Sequence, residues 1–373
     1  MNRGCIVAVI LLWMPYTGKA QASESQNIIL ITLDGLRWQE VFQGADPSIA
    51  HRKKYVRNPE EVRKFWHPEE DGRRKLLMPF LWSQVAIDGQ LYGNRELGNK
   101  VDCTNHRLIS YPGYSEMLVG FKNKKIRSNR KIENPHPTVL EVIGNNHRFK
   151  DEVAAFATWD AFPYILRASK SDIYLNTGKD RATGKLSAQE QRLNELQKNG
   201  EARSDSMTFQ YALEYLKRER PRVTFIALDE TDHYAHLGRY DEYLRAATSA
   251  DQMIARLWKW LQSQPDYKDQ TTLFITTDHG RGKGKSNWRK HRPLAKGSGH
   301  IWFAVIGPDT PAFGEMRIES QSYLKQVAQT IAAFLGLRYS NQEPVGEIVQ
   351  TMIANPQGYI EAEPALGIRK EIR

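Results

Sequence analysis

Three apolar runs in this sequence finish on metal-competent side chains, and that repetition constrains the fold more than any other feature. NIILITLDG closes on Asp34-Gly35, VTFIALDE leads into Asp229, Asp232, His233 and His236, and TTLFITTDHG closes on Asp278-His279-Gly280. Short runs of β-branched and aliphatic residues bounded by turn formers read as buried strands. EVAAFAT and IWFAVIGP supply two more. Between them lie segments with helical spacing: KLLMPFLWSQVAIDG, SYPGYSEMLVG, TVLEVIGNN, SMTFQYALEYLKRERP before the stop at Pro221, YDEYLRAATSADQMIARLWKWLQS and YLKQVAQTIAAFLGL. This alternation predicts an α/β fold: a three-layer α/β/α sandwich around a mostly parallel central sheet. Ligands of such sheets sit beyond the carboxyl ends of the strands, so acids distant in sequence can converge on one rim.

A length of 373 residues allows one large domain, with no internal repeat to divide it. Irregular, charged stretches near 45–100 and 165–205 are expected to be cap insertions over the sheet. Residues 1–22 read as a secretory signal: Arg3, an apolar run from Ile6 to Met14, and the small-x-small pattern Ala20-Gln21-Ala22. The expected location is therefore secreted or periplasmic. The apolar run is too short for a bilayer span, so no stable membrane anchor is expected after cleavage. Cleavage removes Arg3 and Lys19 and takes the formal charge from +10 to +8. Lys and Arg are dispersed and no nucleic-acid module appears, so no specific nucleic-acid partner is expected. Cys103 is the single cysteine of the mature chain and leaves no internal disulfide.

Clustered carboxylates repel and raise one another's pKa unless a cation lies among them. Asp and His together suit zinc, manganese and similar divalent ions. In ISYPGYSEMLVG, Ser110 precedes Pro112 at a predicted helix start, where free backbone N–H groups can receive a phosphate. The bland reading makes Ser110 an N-cap. A metal touching its oxygen instead makes it a nucleophile near neutral pH.

With these motifs in place, the sequence resembles the alkaline phosphatase superfamily, most of all its nucleotide pyrophosphatase/phosphodiesterase branch. The resemblance runs from Asn27 to about Leu337, through Ser110-Tyr111-Pro112 with Gly120 closing the segment, the Asp-x-x-x-His pair and Asp278-His279. It implies a phosphoserine on Ser110 and two divalent ions, zinc first and manganese as the alternative. One ion would be held by Asp34, Ser110, Asp278 and His279. The other would take Asp232, His236 and a late histidine. Asp229/His233 shares the spacing, but Asp232/His236 leaves Gly238 and then a long helix with Asp251, as the family does. For the late histidine, His291 is preferred to His300, which abuts a strand. The family has Gly after this histidine, where this chain has Arg292. Asn129 resembles an asparagine that contacts a substrate oxygen.

The implied activity is hydrolysis of a small phosphate ester, monoester or diester. The alternatives are a phosphotransferase or sulfatase-like hydrolase of the same superfamily, or a non-catalytic basic binding protein. CTNHR has Asn105 where the sulfatase motif requires Pro, and SYPGY has Tyr114 where it requires Arg. Oligomeric state is open at this level.

Overall fold

The computed structural model describes residues 25–197 and 202–354, with the backbone alone at 360–361. The predicted signal segment lies outside the described residues. The central sheet has eight strands: β1 Asn27–Leu33, β2 Gln90–Tyr92, β3 Val153–Ala157, β4 Tyr174–Thr177, β5 Val223–Leu228, β6 Thr271–Thr276, β7 Phe303–Ile306 and β8 Gly314–Glu315. Their spatial order is β8-β2-β7-β6-β1-β5-β3-β4. Only β7 runs against its neighbours; the other pairings are parallel.

Alternate residues of β1 enter different cores, as strand geometry requires. Ile29, Ile31 and Leu33 pack with α4 (Asp205–Glu219) and α6 (Tyr240–Leu261). Ile28 and Leu30 pack with α2 (Ser110–Val119), α3 (Val139–Asn145) and α7 (Val327–Phe334). A mostly parallel sheet with helices on both faces is the expected α/β/α sandwich.

Two expectations change in detail. KLLMPFLWSQVAIDG is not one helix. Helix α1 (Glu70–Leu77) ends at Met78, the residue before Pro79, whose ring disfavours helical backbone there. A wide helical turn, Leu81–Val85, then restarts, with the Asp251 carboxylate accepting from the Phe80 and Leu81 N–H groups. The stretches near 45–100 and 165–205 are not wholly outside the sheet either, since each contributes a strand, β2 and β4. Those strands are too short for a hydrophobic pattern to announce them. Trp82 packs in the core, with its indole N–H donating to the Val41 carbonyl.

Register does the main work of assembly. Leu33 of β1 pairs with Leu228 of β5, and Thr32 pairs with Thr276 of β6. Asp34 and Asp229 follow the first pair by one residue, and Asp34 and Asp278 follow the second by two, so the three acids leave the sheet side by side at its carboxyl edge.

Candidate active site

Asp34 and Asp278 are fully buried at that edge with His279. His279 Nε2 stands 3.5 Å from Asp34 Oδ1 and 3.6 Å from Asp278 Oδ2. All three of these atoms are buried, and none has a hydrogen-bond partner among the described residues. Three orphaned donor atoms converging on one point are costly in a protein interior without a cation. The Asp278 carboxyl is pushed up to about 8 by burial and by the Asp232 charge. Asp34 is raised as well, by burial and then by Asp278 and Asp232. Burial and the neighbouring His291 hold His279 well below the usual imidazole value.

A second group abuts the first. Helix α5 (Glu230–Leu237) puts Asp232 and His236 one turn apart on a single face, 3.2 Å between His236 Nε2 and Asp232 Oδ2. His291 completes the group: its Nε2 lies 2.9 Å from His236 Nε2, and its ring stacks on His279 at 4.1 Å between centroids. Asp232 Oδ1 is 3.9 Å from His279 Nε2, so the groups share a wall. Donors bonded to one tetrahedral ion at about 2.0–2.1 Å stand roughly 3.3 Å apart. The observed spacings, from 2.9 Å between His236 and His291 to 4.0 Å between His291 Nε2 and Asp232 Oδ1, bracket that value, and within each group the ligand atoms lie within 4.8 Å of one another. The residues present fit two divalent cations.

Tautomers follow from the acceptors. His279 Nδ1 lies 3.0 Å from the Gly280 carbonyl and His291 Nδ1 lies 2.8 Å from the Leu108 carbonyl. A carbonyl only accepts, so each Nδ1 carries the proton and each Nε2 presents a lone pair to the site. His291 is also held neutral, down at about 4, chiefly by burial.

Ser110 is the first residue of α2, and Ile109 precedes it as the cap residue without any side-chain cap. The capping acceptor is instead Asn129 Oδ1, which takes the Tyr111 N–H at 3.0 Å. The Ser110 hydroxyl is thus not engaged in capping, contrary to the bland reading. Two contacts fix α2 against the donors. The Leu108 carbonyl holds His291, and Gly113 lies so close to Asp278 that an added Cβ would come within 2.3 Å of the Asp278 carbonyl oxygen. Gly35 has the same character: it has φ +61°, and a Cβ there would meet Asp232 Oδ1 at 2.8 Å.

The alternatives separate on position. His300 sits on a short strand, His300–Ile301, paired with Asn99–Asp102, and belongs to neither donor group. His233 is exposed, as His236 is, but belongs to neither donor group. Asp229 lies beside Asp34 at the rim, its N–H taken by Asp205 Oδ1. The Arg292 departure also has a physical shape: its φ is +99°, in the region that favours glycine.

Sequence reasoning missed Arg281. It is 1% exposed, and its Nη2 donates to Asp232 Oδ1 at 2.8 Å and to the Asp232 carbonyl at 3.3 Å. Burial disfavours the Asp232 carboxylate, but Arg281 first and His236 next outweigh it and hold Asp232 well below the ordinary range. Its position directly after Asp278-His279-Gly280 was the available signal.

Fold and donor set together define a hydrolase of the alkaline phosphatase superfamily. The chain belongs to the type I phosphodiesterase / nucleotide pyrophosphatase family, whose model matches residues 123–344. That span holds Asn129, Asp232, His236, Asp278, His279 and His291, while Asp34 and Ser110 precede it. No curated protein matches the sequence significantly. Solved structures share the fold at low identity. The wild-type alkaline phosphatase PafA has a TM-score of 0.57 at 10% identity, over 90% of this chain and 100% of that one. Murine ectonucleotide pyrophosphatase/phosphodiesterase 5, an inactive variant in complex with AMP, gives 0.54 at 12%, over 88% and 100%. The lipoteichoic acid synthase LtaP from Listeria monocytogenes gives 0.53 at 14%, over 91% and 77%.

Proposed function

We propose that this chain hydrolyses small phosphate esters through a phosphoserine on Ser110. The observation that carries the reading is the pairing of two donor groups, Asp34/Asp278/His279 and Asp232/His236/His291, beside a helix start whose serine hydroxyl is not used as a cap. These residues, with Ser110, would hold two divalent cations, zinc or manganese. When bound, the cations supply Lewis acidity that favours the serine alkoxide and the departing oxyanion.

The chain's own groups do the rest. Ser110 Oγ, its proton given up to solvent, attacks phosphorus. The P–O bond to the leaving group breaks with its electron pair, and the departing oxygen takes a proton from water. Water then cleaves the phosphoserine, restoring the serine hydroxyl and releasing the phosphate or phosphomonoester. The amino end of α2 presents N–H groups and a positive dipole end to phosphoryl oxygens. Asn129 spends its Oδ1 on Tyr111 and keeps its amide N–H groups for a non-bridging oxygen. Arg281 holds Asp232 ionised and oriented. The AMP held by the murine structural neighbour, a nucleotide monoester, supports a substrate with a nucleotide or similar group. The reading includes a single catalytic domain secreted or exported after removal of residues 1–22.

The test is a panel of aryl phosphate mono- and diesters and aryl sulfates against the purified chain and Ser110→Ala. Turnover of a phosphoester that falls at least about 10³-fold in Ser110→Ala, with metal content retained, supports the reading. Parental rates in that variant remove Ser110 as nucleophile, and preference for sulfate esters favours the sulfatase-like alternative.

A further inference from the structure

The segment from His279 to Pro308 contains seven Lys and Arg residues and no acid. Arg281 is ion-paired with Asp232. The other six have no carboxylate partner among the described residues, and Lys283, Lys285, Lys290, Arg292 and Lys296 are exposed. Elsewhere, cations of this protein commonly find acids nearby, as Arg74 finds Asp71 and Glu315.

This segment is a pinned loop. Gly280 N–H donates to the Ser298 carbonyl, Gly282 N–H to Lys290 and Lys283 N–H to Lys296, while Trp288, Ala295 and Ser298 are buried beneath it. At its tip the Ala295 N–H donates to the Arg292 carbonyl, closing a turn with Pro293 and Leu294 at the centre. Leu294 is 99% exposed. Leu237, 58% exposed, is near the same loop, because Arg289 packs against the adjacent Gly238.

We propose that this loop docks the protein on an anionic lipid surface. Basic side chains would meet lipid phosphates, and the Pro293-Leu294 tip would enter the headgroup–acyl boundary. Charge complementarity selects an anionic partner, and each Lys or Arg near such a surface strengthens partition about fivefold. A soluble polyanion would satisfy the charges but would leave the leucine in water. A fully exposed apolar tip within a basic ring is the pattern of interfacial binding. Among the described residues no helix is long and apolar enough to cross a membrane. His291 lies one residue from the turn, which puts the docking face beside the donor groups. The proposal is independent of chemistry at Ser110, because binding is measured without turnover.

The experiment is co-sedimentation of the full chain with phosphatidylglycerol/phosphatidylcholine vesicles and with pure phosphatidylcholine vesicles. Expected is binding to the anionic vesicles alone, weakened by salt. Lys283→Glu/Lys285→Glu/Lys296→Glu should bind at least about 100-fold more weakly, and Leu294→Ser about tenfold more weakly. Unchanged turnover of a soluble aryl phosphoester, or an unchanged melting temperature, shows that both variants are folded. Failure of the parent chain to bind anionic vesicles at low salt overturns the proposal. So does parental vesicle binding by Leu294→Ser, and so does complete displacement by soluble polyphosphate with no dependence on Leu294; each would leave a polyanion site only.

Discussion

Arg281 Nη2 donates to the Asp232 carboxylate at 2.8 Å, from a position directly after the Asp278-His279-Gly280 turn. One donor group is thereby tied to the chain segment that carries the other. The same Asp232 oxygen stands 3.9 Å from His279, so small movements of Asp232 are felt by both groups.

Arg281→Met should therefore act on cation binding before it acts on chemistry. Partners that orient ligands are typically worth 10–100-fold in metal affinity. Chelator competition should show one of two cations weakened by that factor. Turnover should fall in ordinary buffer and recover in part with excess added zinc or manganese. A loss that no added cation reverses, with full metal content, would place Arg281 in contact with substrate instead. The Asp232 carboxylate would be left without its guanidinium, so stability should drop by roughly 3–5 kcal/mol, as when one partner of a buried pair is removed.

Asn129 offers a cleaner separation of stability from catalysis. Its Oδ1 caps the Tyr111 N–H. Asn129→Asp keeps the acceptor and should cost little stability, but its added charge and lost N–H groups should lower turnover by about 10²–10³-fold. Asn129→Ala should lose both, with about 1 kcal/mol lower stability from the missing cap. Urea melts and kcat on the same preparations check the split. Equal stability losses in the two variants would remove the capping role.

Much of this arrangement is readable before folding is known, and the unreadable part has physical causes. Asp34 and Asp278 stand out because several apolar strands end alike on acids and histidines, whereas one such acid alone would read as a turn or cap, and parallel register then sets them side by side. His291 and His300 share residue type and local composition. Only packing separates them: one stacks on His279, the other lies in a small side sheet. Arg281 is harder to see for a different reason: its place after Asp278-His279-Gly280 hints at the site, but nothing local shows that an arginine in a basic run will be buried. The strands at Gln90–Tyr92 and Tyr174–Thr177 have too few residues to show alternation. The cap role of Asn129 depends on a loop folding back on α2, which no spacing encodes.

Gly113 tests the seating of the serine helix. A Cβ there would lie 2.3 Å from the Asp278 carbonyl oxygen, a backbone atom that cannot swing away. Gly113→Ala should push α2 off the donor groups and destabilise the protein by roughly 1–3 kcal/mol, the usual range for overpacking. Turnover should fall further than stability alone explains, because Ser110 shifts with the helix. Thermal melts and kcat measured below the transition give both numbers, and parental values for both would mean that the helix yields without consequence.

Removal of the cations should expose a stability profile whose direction is fixed by the buried groups. Asp278 is raised to about 8 and Asp34 is raised too, mainly by burial, so both prefer their protons in the metal-free fold. A carboxyl with a raised folded pKa contributes stability that is complete below its unfolded value, near 4, and that fades as pH climbs through the folded value. His279 and His291 are depressed, chiefly by burial, so their contribution works the other way. It is complete above about 6.5 and fades as pH falls toward the folded values. Below pH 6.5 the two effects oppose each other. Between about 6.5 and 8 the carboxyls act alone, and chelated protein should lose up to about 1.4 kcal/mol per pH unit for each proton released. Added cation should restore stability, by more at pH 8 than at pH 6.5, since ligands already stripped of protons bind without releasing them. Chemical denaturation of chelated and reloaded protein across that window reads the slope directly. A metal-free protein that grew more stable from pH 6.5 to 8 would mean that Asp34 and Asp278 are already ionised there, held by something other than the cations.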